Sequence, residues 1–411
     1  MLRRFLVLLM ATVIVSGLAV FSDASGSGNQ SHLVYAAVQQ RWWLFYIDTK
    51  TATGVKVLVS SSNDLRTATW GNPGANTGGS GANQSPAFPA ALALISTSER
   101  CLAVAFVPNS INANDVVHVA VQLGRVSGTQ LSHHQHIRAT FTGASSITWE
   151  TWNTTATSQN IDPGTHITGG SLGVSTTGVI HDCDPLGLAG DNYNNGGAWG
   201  FLSSNADTSS TWTSGFGAAA TPSAPANFVV SSALAPLASA AMLIVYGNGS
   251  VAQPNTTGLV SDVYVSGVSW PTTGSGATGN GTTSQDQNDF CLCAVDTTHI
   301  FCIRRSGATT ADMRMYNGTS WVTKDATPNV TGHLAASGLF AATDGTNLWL
   351  FELDSTGNNL LQYCKYTLAA DNWGSWTTLE AAGSTARNYI SGYPVMGHNQ
   401  IGVLFPQVNG A

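Results

Sequence analysis

Asn288 to Trp321 reads NDFCLCAVDTTHIFCIRRSGATTADMRMYNGTSW, and its punctuation decides the fold. The apolar run Phe290–Val295 stops at Asp296-Thr297-Thr298. A second run, Ile300–Ile303, ends in Arg304 and Arg305. A third, Met313–Tyr316, leads through Asn317-Gly318 to Trp321. Short apolar runs broken by Asx, Gly and Thr are the pattern of antiparallel strands joined by tight turns. The stretch therefore predicts strand, turn, strand, turn, strand, and a closing tryptophan. It also carries paired arginines, so it is a place where function could be concentrated.

Most of the chain repeats this plan. Leu33–Val38, Trp42–Ile47 and Val55–Ser60 alternate apolar and polar residues and lead to Thr69-Trp70. A longer second unit runs through Ala90–Ile95, Cys101–Val107, Val116–Leu123 and Ile137–Phe141 to Trp149, with His133, His134 and His136 in what reads as an inserted loop. The third unit spans Ser171–Ser175, Gly178–His181 and Trp199–Leu202 and ends at Asp207 to Trp212. The fourth spans Phe228–Ser232, Met242–Tyr246 and Val260–Val265 and ends at Trp270. After the opening stretch comes a sixth, Gly338–Ala342, Leu348–Leu353 and Leu360–Tyr366, ending at Trp373 and Trp376. Two strands remain, around Tyr389–Met396 and Ile401–Phe405.

The Trp turns at 70, 149, 212, 270, 321 and 376 recur at intervals of 51 to 79 residues. A three- or four-stranded unit repeated on this scale is the mark of a β-propeller. One sheet cannot bury both faces alone, so neighbours pack on it until the ring closes. Six complete units plus a C-terminal strand pair predict an all-β propeller of seven blades, with six as the alternative count.

Composition fits this reading. Charged residues are 9% of the chain and hydrophobic ones 43%, so uncharged hydroxyl and amide groups cover much of the surface. The net charge of −7 comes with no basic patch, which argues against a nucleic-acid partner. Residues 1–24 read as a secretory signal: Arg3 and Arg4, an apolar core, then Ser22-Asp23-Ala24 at the cleavage position. An uncleaved anchor is the alternative. The mature chain, 25–411, is then a single secreted or cell-surface domain with no further membrane span.

Six cysteines follow: Cys101, Cys183, Cys291, Cys293, Cys302 and Cys364. An even count in a secreted chain permits disulfides, and Cys302 on the next strand stands within reach of Cys291 or Cys293. Small buried apolar residues are the alternative. No cysteine pattern has zinc spacing, and no cofactor or metal is expected. His133, His134 and His136 on a loop, and Asp182 and Asp184 near Asp191, read as polar loop residues rather than metal ligands.

At its turns the chain resembles the Asp-box repeat of sialidases, Ser-x-Asp-x-Gly-x-Thr-Trp. Asp207, Thr211 and Trp212 fit the spacing, with Asn205 and Ser209 in place of Ser and Gly. Ser62, Asp64, Thr69 and Trp70 fit with one extra residue. The box is structural, so it implies a fold and not an activity. Two longer segments also look like sialidase blades. The resemblance puts Arg304 or Arg305 at a substrate arginine, Asn288 or Asp289 near the position of the general base, and Tyr393 at the nucleophile. It departs where the family needs two further arginines: Leu33–Val38 has none, and Leu360–Tyr366 offers only Lys365.

The candidate site is therefore Tyr393 and Asp289 as catalytic groups, with Arg304, Arg305 and Glu352 as ligand contacts. Asp289 and Glu352 together would be a carboxylate pair for glycoside hydrolysis. With the arginine triad broken, the resemblance implies a non-catalytic propeller that binds glycans or an extracellular partner through its central funnel. A sialidase-like glycoside hydrolase and a structural or adhesive surface module are the alternatives.

Overall fold

Alternating apolar residues become strands wherever Asx and Gly turns allow the chain to reverse, and the computed structural model shows this along the chain. It describes residues 33–47, 52–77, 84–90, 92–94, 102–111, 113–125, 132–152, 171–185, 198–202, 227–239, 241–250, 259–264, 275–276, 290–305, 311–324, 339–354, 360–380 and 390–404. The segment 1–24, Asp289, Asp207, Trp212 and Trp270 lie outside these residues. Among them the only helical element is a 3-10 turn, Leu368–Ala370. None of their helices is long and apolar enough to cross a membrane.

The strands form successive, mostly antiparallel sheets in chain order. The first holds β1 (Leu33–Ala36), β2 (Arg41–Tyr46), β3 (Lys56–Ser60) and β4 (Trp70–Gly71). The second holds β5 (Gly74–Thr77), β6 (Leu92–Leu94), β7 (Leu102–Val107), β8 (Val116–Arg125), β9 (Ser132–Gly143) and β10 (Ser146–Trp149). The third holds β11 (Ser171–Val174), β12 (Ile180–Pro185) and β13 (Ala198–Leu202). The fourth holds β14 (Asn227–Pro236), β15 (Met242–Ser250), β16 (Leu259–Tyr264) and β17 (Ser275–Gly276). The fifth, the opening stretch, holds β18 (Phe290–Asp296), β19 (His299–Arg305), β20 (Ala311–Tyr316) and β21 (Trp321–Thr323). The sixth holds β22 (Leu339–Thr343), β23 (Asn347–Asp354), β24 (Leu360–Thr367), β25 (Asn372–Trp373) and β26 (Thr377–Glu380). A last pair, β27 (Ser391–Gly392) and β28 (Val403–Leu404), follows.

The turns work as their residues require. Asp296 Oδ1 accepts hydrogen bonds from the Thr298 amide and hydroxyl. Asn317 Oδ1 accepts from the amides of Thr319 and Ser320, with Gly318 at φ +89°. Asp344 Oδ1 accepts from the amides of Thr346 and Asn347. In each case a short polar side chain satisfies amides that the reversal leaves without ladder partners.

Strand alternation gives every sheet two apolar faces, and each face meets a neighbour. Val34, Trp43, Phe45 and Val57 pack with Val119, Ile137, Phe141 and Trp149 between the first and second sheets. Val107 and Val116 meet Ile180 between the second and third. Gly173 lies so close to Leu234 that a Cβ there would stand 2.8 Å away, which brings the third sheet onto the fourth. Leu243 and Val245 pack with Ile300 and Cys302, and Cys291, Phe301 and Met313 with Leu348, Leu350 and Tyr366. Phe340 and Phe351 meet Ile390, Ile401 and Val403 of the last pair. Leu33, Trp42 and Leu58 then pack with Tyr393 and Leu404, so the last pair also meets the first sheet. The arrangement is all-β and propeller-like.

The histidine and cysteine readings need correction. His133, His134 and His136 are not on a loop: they lie on β9, paired in register with Leu123, Gln122 and Ala120 of β8, and His136 is buried. A hairpin extended past its apolar stretch carries them into the sheet. Cys302 cannot bridge to Cys291 or Cys293. It pairs in register with Leu292, so it points to the opposite face of the sheet. Cys291, Cys293, Cys302 and Cys364 are all buried thiols.

Candidate functional site

The resemblance directs attention to Tyr393, and its position follows from the hairpin beyond it. His398 and Asn399 both have positive φ, 46° and 59°, and Gly397 and Gln400 exchange amide hydrogen bonds of 2.8 Å across them. This is the two-residue turn that suits a twisted hairpin. It sends β28 back along β27 and leaves Tyr393 at the end of β27. The Tyr393 ring stands edge-on to Trp42, 6.1 Å between centroids, and to Phe106, 6.4 Å. Burial pushes the phenol well above the ordinary tyrosine range, and the Asp115 carboxylate adds to the shift. Asp115 is itself fully buried and accepts from the amides of Val38 (3.0 Å) and Asn109 (2.8 Å), tying the first sheet to the second.

The other candidates stand elsewhere. Arg304 is half-buried on β19, opposite Phe290 in register. It shares a face with Ile300 and Cys302, which pack toward the fourth sheet. Arg305 ends the same strand opposite Ala311, and its side chain lies outside the described residues. Glu352 is fully buried on β23. Alternation puts it on the face of Leu348 and Leu350, toward the fifth sheet, close enough to Cys364 to help burial raise that thiol's pKa. Tyr393, Arg304 and Glu352 thus occupy three different seams. Among the described residues no cluster of three or more His, Cys, Asp or Glu could hold a metal ion. Asp182 and Asp184 lie on strand β12, not on a loop.

The tryptophan turns have a clear role. Trp70 packs into the seam with the last strand pair, Trp149 with the first sheet, Trp321 with the fourth and Trp376 with the fifth. Each fills the gap to the preceding sheet. Trp321 also donates from Nε1 to Ser261 Oγ at 2.8 Å, across that gap. The Asp64 turn does more than cap. Asp64 is bound by Arg66, with Nη2 to Oδ2 at 2.6 Å, and Gln400 Nε2 donates to its Oδ1 at 2.7 Å. Gln400 Oε1 accepts from the Leu65 amide at 2.9 Å. The Arg66 hydrogen bond, and then that from Gln400, holds the Asp64 carboxyl well below the usual range.

Sequence reading missed Gln400 and Asp115. Nothing in the local pattern marks a Gln after a turn or an Asp before a strand as a link between sheets. No protein-family profile matches the chain, and no curated protein matches it. Among solved structures, it is similar to a fucose-specific lectin from Aleuria aurantia, at 12% identity and a TM-score of 0.44, covering 88% of this chain and 98% of that one. It is similar to an ulvan lyase, a polysaccharide lyase, at 12% and 0.47, covering 91% and 88%. It is similar to the NanB sialidase from Streptococcus pneumoniae at 13% and 0.43, covering 93% and 66%.

Proposed function

We propose that the chain is a secreted, sialidase-like propeller that binds glycans without cleaving them. On this reading the seven sheets of the described residues are seven blades, the last of them the strand pair. The observation that carries the reading is the burial of Tyr393, the candidate nucleophile. A tyrosine nucleophile needs a base beside it and a phenol that ionises readily. Tyr393 instead packs between Trp42 and Phe106, with burial and Asp115 keeping its proton in place. Glu352 and Arg304 belong to other seams.

A glycan suits the surface. With 9% charged residues, the chain presents mainly hydroxyl and amide groups, which exchange hydrogen bonds with neutral sugars without desolvating a charge. A glycan array with the purified mature chain tests this. Selective binding to a set of neutral oligosaccharides is expected. Binding to no sugar would leave the protein as an adhesive or structural module and overturn the reading.

A further inference from the structure

The face that the sixth sheet turns toward the last strand pair is covered only in part. Cross-strand register sets Phe340 of β22, Phe351 of β23 and Tyr363 of β24 in one row across it, and Ala342, Trp349 and Lys365 in the next. Phe340 and Phe351 are 2% and 0% exposed and pack with Ile390, Ile401 and Val403. Tyr363 and Lys365 are half-buried, and Thr377, which pairs with Tyr363 from β26, is exposed. Among the described residues the last sheet has two strands, the number needed to cover β22 and β23. Leu361 near the start of β24 stays buried, and the strand emerges at Tyr363.

The uncovered end of the face is an aromatic shelf beside a cation. Tyr363 tilts against Trp349, with 5.6 Å between centroids, and against Phe351, with 6.2 Å. Trp349 is fixed by a hydrogen bond from its Nε1 to Asp344 Oδ2 at 3.0 Å. Lys365 Nζ lies 5.3 Å from the centre of the Trp349 ring, a cation–π contact. Among the described residues no carboxylate pairs with that ammonium. Of the five acidic residues between 339 and 380, Asp344 is engaged by the amides of Thr346 and Asn347 as well as by Trp349, and Asp371 by Lys324 and Tyr366. Glu352 lies on the opposite face. Asp354 and Glu380 pair with Leu360 and Leu361, at least four residues along β24 from Lys365, or about 13 Å. Residues 381–411, which include the last pair, contain no acidic side chain and one arginine, Arg387. In a chain of net charge −7, this face keeps a cation without a counter-charge next to aromatic rings.

We propose that the Tyr363–Lys365 face binds an acidic sugar, a pyranose that carries a carboxylate or a sulfate. The C–H face of the pyranose lies on the Tyr363 ring, whose π face is weakly negative. The acid group accepts from Lys365 Nζ in a charge-assisted hydrogen bond. The exposed Thr377 hydroxyl, next to Tyr363 in the ladder, exchanges hydrogen bonds with ring hydroxyls. An acidic peptide would use the charge and leave the ring idle. The assignment rests on the glycan-binding reading above and adds one acidic unit to the neutral sugars expected there.

Calorimetric titration of the purified chain at low salt tests the site, with two matched pairs of probes. One pair is trigalacturonate and its methyl ester; the other is a sulfated carrageenan tetrasaccharide and its desulfated form. The wild type should bind the charged member of at least one pair about two- to fivefold more tightly than the neutral member, and the gap should shrink as salt is raised. Lys365→Met keeps an apolar stem over Trp349 and should erase the gap. Tyr363→Leu should weaken both members of the pair alike. Lys324→Met, at a lysine that pairs with Asp371, should follow the wild type. An unchanged preference in Lys365→Met would overturn the proposal, and so would an oligoglutamate of equal charge that binds as tightly as trigalacturonate. Neutral sugars bound with no acid preference would refute this site and leave the glycan reading standing. Binding of no sugar at all would refute both.

Discussion

Gln400 joins parts of the chain 336 residues apart, and its amide serves two partners at once. Gln400→Ala leaves the buried Leu65 amide without its acceptor, at a cost of about 1–3 kcal/mol in urea unfolding. A change below the error of the fit would remove this contact from the account. Asp64 ionises more readily folded than unfolded, so its contribution is present above pH ~4 and is lost as the pH falls below that. An Asp64→Asn variant should show a flatter loss of Tm in that acid range. Near the same junction, a Cβ on Gly402 would stand 2.4 Å from Leu33 and 2.9 Å from Trp42. Tyr393→Phe should leave the fold intact. Its ultraviolet alkaline titration should lack one tyrosine that ionises well above pH ~10 in the wild type. The thiols behave as core residues. Burial pushes Cys293 up to about 12, and a thiol reagent should not react with Cys291, Cys293, Cys302 or Cys364 until the chain unfolds.

At the level of elements, the sequence showed the strands because period-two alternation and Asx turns are local properties. Phe290, Leu292 and Ala294 lie on one face of β18 and Cys291, Cys293 and Val295 on the other, as their order requires. The Trp turns within the described residues were equally legible, since a Trp after Ser or Thr at a strand start has one good place to go: the gap to the previous sheet. Trp321→Phe keeps an aromatic ring but loses the bond to Ser261, and should cost less than Trp321→Ala, which also removes the packing of a half-buried ring. Equal costs would show that the hydrogen bond, not the packing, holds this turn. Strand ends were less legible. β9 runs back to Ser132 because β8 is long enough to pair with it, a fact about the partner and not about His133 or His134. The candidate site was the least legible part. Adjacent strand residues face opposite seams, so a run such as Arg304-Arg305 does not by itself say which seam each side chain enters.

On the scale of the molecule, the account depends on the last strand pair meeting both the sixth sheet and the first. Pro394 accepts from the Thr343 amide at 2.9 Å, and Met396 donates to the Thr343 carbonyl at 2.8 Å. On the other side Gln400, Tyr393 and Leu404 reach the first sheet. A chain of sheets joined at both ends unfolds as one unit, whereas an open stack loses its ends first. Deleting residues 390–411 and following unfolding by calorimetry tests this most directly. The account predicts a large fall in Tm and a broadened transition, with amide exchange rising in the first and sixth sheets together. A truncated chain that unfolds at the wild-type temperature, in one sharp transition, would contradict it.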